Sequence, residues 1–166
     1  MTVITKKTSI SGNDNILLLC SEKTNLTNFG LTKPEADFVK NEISKNGKKF
    51  LTINQLKRYV FIQIIEQKKE ANLTLEANRK AGSHLNTMLN KFKIAEVCLV
   101  DTENKFAETL AFAEGVALAN YQFLKYKKDL KKETHSLKNI FLKSDKISVK
   151  DIEQLQIVLD ATCKAR

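Results

Sequence analysis

The segment Ile94-Ala95-Glu96-Val97-Cys98-Leu99-Val100 (IAEVCLV) sets the architecture expected of this chain. It is short, rich in branched side chains and almost continuous in hydrophobicity, which predicts a strand covered on both faces. Asp101 and Glu103 follow as a turn. A helical spacing then begins at Phe106 and runs through Leu110, Ala113, Ala117 and Tyr121, in steps of four, three, four and four residues. A buried strand leading into a helix is the repeating step of a parallel sheet wrapped by helices.

The same step recurs on either side. Asn15 to Cys20 (NILLLC) and Arg58 to Ile65 (RYVFIQII) read as buried strands, Lys48 to Ile53 (KKFLTI) as another and Leu137 to Leu142 (LKNIFL) as a weaker one. Val3-Ile4 adds a short edge piece. Thr32 and Glu35 have capping-box spacing with Pro34 in the first turn, and Ala36, Val39 and Ile43 then share one face. Leu73 to Phe92 places Ala81, Leu85, Met88, Leu89 and Phe92 on one stripe. Ser148 and Asp151 form a second capping box, continued by Ile152, Leu155, Leu159 and Thr162. The resulting order predicts an α/β three-layer sandwich, a mixed and largely parallel sheet flanked by helices. Repeats, low-complexity tracts and interdomain linkers are absent, so residues 1–166 read as a single domain with a loop expected over Lys127 to Ser136.

Composition excludes several classes. A chain of 166 residues can build a core without disulfides or metals. The N-terminal MTVITKKTSISGNDN lacks the apolar segment of a signal peptide, and no apolar run nears the about 20 residues that span a bilayer. Cys20, Cys98 and Cys163 are odd in number and scattered, as expected in a reducing cytoplasm. The net charge of +9 raises nucleic-acid binding, yet only Arg58, Arg79 and Arg166 among 28 basic residues carry the guanidinium suited to bidentate recognition. The densest cluster, Lys125, Lys127, Lys128, Lys131 and Lys132, falls in the expected loop. A solvated lysine-rich surface is the favoured reading, and a lysine-rich nucleic-acid-binding module is the alternative.

No residue earns a catalytic, metal-binding or cofactor-binding assignment. His84 and His135 have no histidine or cysteine at metal-ligand spacing. Asp101 and Glu103 lie past a strand's carboxyl end, where open α/β sheets bind ligands, but a carboxylate pair alone specifies no reaction. Glu114 reads as a partner in a helix-surface or intersubunit salt bridge. Gly12, Gly30, Gly47, Gly82 and Gly115 are isolated, so no glycine-rich phosphate loop exists. Gly115 inside a helix costs about 1 kcal/mol relative to alanine, and close helix-to-sheet packing is the expected reason for it.

Ala113, Glu114, Gly115, Leu118, Tyr121, Phe123, Tyr126 and Lys127 fit the pattern AEGxxLxxYxFxxYK. Arg79-Lys80-Ala81-Gly82 gives RKAG in the preceding helix, and Lys164-Ala165-Arg166 closes the last one. Together these resemble the N-terminal domain of the leucyl (cytosol) aminopeptidases, over essentially the whole chain from about Asn15. The resemblance implies a macro-domain-like α/β sandwich without chemistry of its own, with the helix over 148–166 as the linker to a C-terminal catalytic domain expected to begin about where this chain ends. It further implies a cytoplasmic hexameric parent hydrolase, a metalloenzyme using two divalent ions (zinc, manganese or magnesium) to activate water against the first peptide bond. The metal-binding and catalytic residues would all lie beyond Arg166. Partners implied are that catalytic domain and further copies of the chain, with no membrane. Some bacterial relatives bind DNA, and macro domains often bind ADP-ribose, which leaves a macro-type nucleotide-binding module as a lesser alternative.

Overall fold

The structure is a computed structural model that describes residues 2–123 and 134–165. Its strands are β1 (Val3–Lys6), β2 (Ile16–Cys20), β3 (Phe50–Asn54), β4 (Tyr59–Ile64), β5 (Glu96–Asp101) and β6 (Asn139–Lys143). They form one six-stranded sheet in the order β1-β6-β5-β2-β4-β3, parallel throughout except for the antiparallel β3. The connecting helices are α1 (Lys33–Asn46), α2 (Ala71–Lys91), α3 (Phe106–Ala119) and α4 (Val149–Ala165), with a 3-10 turn at Leu26–Phe29.

Every β2 residue is buried because its alternating side chains serve two cores. Ile16, Leu18 and Cys20 pack beneath α1 with Val39, Ile43, Val60 and Ile62. Leu17 and Leu19 pack beneath α2, α3 and α4 with Phe61, Leu85, Leu99, Phe112, Val116 and Leu159. The three-layer α/β sandwich expected from unbroken hydrophobic strands is therefore present. Both capping boxes form: Thr32 and Glu35 exchange hydrogen bonds at the start of α1, as do Ser148 and Asp151 before α4.

Several details differ from the sequence reading. Helix α3 is buried on more than one side, with Thr109, Phe112 and Val116 in the core, whereas Phe106, assigned to its inward face, is 41% exposed. A helix wedged between sheet and helix has no single apolar stripe, so a one-face spacing underestimates it. Tyr121 lies past the helix end, and in α4 Cys163 takes the buried position extrapolated to Thr162.

The two sheet edges are finished differently. At β1, the Ile4 amide donates to Gln156 Oε1 of α4 (2.9 Å) while Gln156 Nε2 donates to the Thr2 carbonyl (3.3 Å), so one side-chain amide stands where another strand would pair. At β3, no comparable cover exists among the described residues.

Candidate functional site

The carboxyl ends of β2 and β5 meet where the chain's course reverses across the sheet, the place where open α/β sheets form a crevice. Asp101 and Glu103 both lie there, as their position after β5 predicts. Asp101 Oδ1 accepts from the Glu103 and Lys105 amides (3.2 and 3.1 Å), and its Oδ2 accepts from Ser144 Oγ (2.8 Å). Glu103 reaches across to the loop after β2. Its Oε1 accepts from Thr24 Oγ1, Ser21 Oγ (3.1 Å) and the Ser21 amide (3.3 Å). Burial alone would raise the Glu103 pKa; the hydrogen bonds from Thr24, Ser21 and Thr102 outweigh it and hold the carboxyl below its ordinary value. Both acids are spent on closing loops. A phosphate brought to this point would also meet a carboxylate rather than an array of amides.

The thiols are equally committed. Burial, reinforced by the Glu103 charge, pushes Cys20 up to about 12, and burial pushes Cys98 up to about 11. Neither is a nucleophile at neutral pH. His84 meets the Phe50 ring edge-on at 4.7 Å, and His135 Nδ1 lies 3.0 Å from the Asn120 carbonyl. Among the described residues, no group of three His, Cys, Asp or Glu could hold a metal ion.

The residues of the AEG and RKAG motifs converge instead on the crossing of α2 and α3. A Cβ on Gly115 would lie 2.1 Å from the Arg79 carbonyl oxygen, and one on Gly82 would lie 2.2 Å from that of Phe112. Each glycine lets the other helix's backbone touch its own. This corrects the expectation for Gly115: the close approach is helix to helix, not helix to sheet. It also gives Gly82 a role that spacing alone did not reveal. Beside the crossing, Arg79 Nε donates to Glu114 Oε2 (2.7 Å), the salt bridge foreseen for Glu114 and formed within the chain. Ala113 is fully buried against the same core, and Leu118 packs on it half-buried.

Past α3 the motif loosens. Tyr121 is half-buried, Phe123 is exposed, and Tyr126 and Lys127 lie outside the described residues, as do the lysines at 125, 128, 131 and 132 and most of the loop expected over 127–136. Asn120, a variable position of the motif, does more. Its Nδ2 donates to Thr2 Oγ1 (2.8 Å) and the Leu137 carbonyl (2.7 Å), while its Oδ1 accepts from Asn90 (3.3 Å). An asparagine directly after the last helical residue was the available signal. Beside it, Thr2, Ala117, Asn120, His135, Leu137 and Cys163 border a cavity of about 300 Å³.

No protein-family model and no curated protein sequence matches this chain. Its fold does have a counterpart of known structure. A mutant leucine aminopeptidase from tomato superposes with a TM-score of 0.67 at 9% identity, over 99% of this chain and 36% of that one. The likeness establishes the shared α/β three-layer fold, and this chain spans little more than a third of the tomato chain's length.

Proposed function

We propose that these residues form the non-catalytic N-terminal domain of a leucyl aminopeptidase, with an assembly or regulatory role. The observation that carries the reading is coverage: nearly all of this chain, but only 36% of the tomato enzyme, is used in the superposition. The helix crossing supports it, since Arg79, Gly82, Glu114 and Gly115 of the motifs that resemble the family join α2 to α3. The acids at the sheet's crevice fit no divalent-metal site, because hydroxyls and amides already hold them. In this reading the two metal ions and the hydrolytic step belong to a catalytic region outside residues 1–166, α4 is the linker towards it, and hexamer formation is a property of the parent.

The test pairs the coding sequence past codon 166 with leucine p-nitroanilide hydrolysis in added manganese. The 166-residue chain is expected to be inactive, and the same chain extended through its downstream region active. Turnover by the 166 residues alone, or a reading frame that stops at Arg166, overturns the proposal.

A further inference from the structure

The antiparallel ladder leaves one side of β3 unused. Ile64 N donates to the Lys49 carbonyl (2.9 Å) and Gln55 N to that of Arg58 (2.9 Å), so residues 49, 51, 53 and 55 face β4. By the alternation of an antiparallel ladder, the amides and carbonyls of Phe50, Thr52 and Asn54 point outward, and no described residue pairs with them. Strand edges are ordinarily blunted by a bulge, a proline, an inward charge or a covering element. The strand FLTIN has none of these, whereas β1 is closed by Gln156.

A groove of about 540 Å³ adjoins this edge on the α2 side. Buried Gln63 borders it, Leu73, Ala77 and Ala81 supply an apolar wall at four-residue spacing along α2, and Lys49, Lys68 and Lys80 stand around it with Glu66 and Glu76. His84, which also borders the groove, touches Phe50 of the open strand. At the far end of β3 the hairpin holds Leu56 96% exposed with a φ of 63°, an apolar side chain presented to solvent by a left-handed turn.

We infer that β3 and this groove take up an extended acidic peptide by strand addition, the peptide's backbone pairing with Phe50, Thr52 and Asn54 and an apolar side chain entering between β3 and α2. Strand addition draws affinity from main-chain hydrogen bonds and selectivity from pockets that receive alternate side chains, and edge and groove together supply both. Charge tips the choice towards the acidic class, since lysines outnumber glutamates three to two around the groove. Lys48, Lys49, Lys68 and Lys80 are held only by surface pairs with Glu42, Glu22, Glu66 and Glu76. Such pairs contribute about 0–1 kcal/mol each, so a ligand carboxylate exchanges into them readily. Lys57 at the hairpin has no ion pair among the described residues, and the whole chain carries +9. A second copy fits less well, because like charge opposes it and a five-residue strand pair falls short of the about 1,200 Å² of a standard interface. The inference does not depend on the aminopeptidase reading.

The probe is a fluorescein-labelled, end-capped peptide of alternating valine or leucine and glutamate, titrated with the 166-residue chain by anisotropy. Saturable binding is expected, weakened at least about tenfold by N-methylation of the peptide amides that face β3, a change that leaves the protein untouched. Thr52→Pro removes an outward amide and should weaken binding similarly, and Ala77→Glu should do so by filling and charging the groove. On titration, slowed hydrogen exchange should appear at the Phe50, Thr52 and Asn54 amides. No binding at millimolar chain, or equal binding of the N-methylated probe, overturns the proposal. So does a concentration-dependent dimer that Thr52→Pro abolishes and the peptide does not disrupt, which would assign the edge to a second copy.

Discussion

The crossing of α2 and α3 and the carboxyl edge of β2 and β5 solve the same problem, joining two elements tightly, by opposite means. At the crossing, side chains are removed: Gly82 and Gly115 bring backbone against backbone. At the sheet's edge, side chains are added: Glu103 gathers the hydroxyls of Ser21 and Thr24. The first joint has almost no slack, while the second rests on hydrogen bonds that a titration can undo. The difference separates a motif that marks packing from acidic residues whose position alone suggests chemistry.

The most damaging way to break the contrast is Gly115→Leu. Overpacking a close-fitted site costs about 1–3 kcal/mol, and a Cβ at 2.1 Å from a carbonyl oxygen places this variant at or above the top of that range. Gly82→Ala sharpens the point. Alanine favours a helix by about 1 kcal/mol over glycine, so net destabilisation in urea would isolate the helix contact; an unchanged or raised midpoint would mean that the helices are further apart than described.

Next comes Glu103→Gln, expected to cost about 1–2 kcal/mol because charged acceptors make the stronger hydrogen bonds. The sign with pH follows from a depressed folded-state pKa. The stabilisation is present above the unfolded carboxyl value of about 4.3 and is lost as pH falls through the lower folded value. Wild-type and variant denaturation midpoints should therefore converge as acid protonates the folded-state carboxylate, and a gap that does not narrow as pH falls below the unfolded carboxyl value would remove the carboxylate from the account. The Arg79–Glu114 pair is half-exposed and should show a coupling of about 0.5–1 kcal/mol in a double-mutant cycle. Smallest of all, Cys20 and Cys98 should react with a disulfide reagent only as the chain unfolds; a fast phase assignable to either would contradict their burial.

The strands were legible because unbroken runs such as NILLLC can only be covered on both faces, and all six expected strands occur with small shifts at their ends. The capping boxes were legible because each is a local exchange between residues three apart. Less could be read where partners come from distant parts of the chain. Nothing near Gly82 announces that it faces Phe112, thirty residues on, and a helical wheel of α3 cannot show that α2 buries its second side. The crevice illustrates the reverse limit: sequence placed Asp101 and Glu103 correctly, but not the hydroxyls of Ser21, Thr24 and Ser144 that occupy them.

Gln156 has a consequence for the order in which the molecule is made. The first strand has two neighbours, β6 at residues 139–143 and a glutamine in the middle of the last helix. While the ribosome is still producing the middle of the protein, Val3 to Lys6 has nothing native to pair with. Contacts this distant along the chain are slow to form. Val3 to Lys6 should thus be among the last residues to settle, with the Ile4 amide protected from exchange only after α4 has formed.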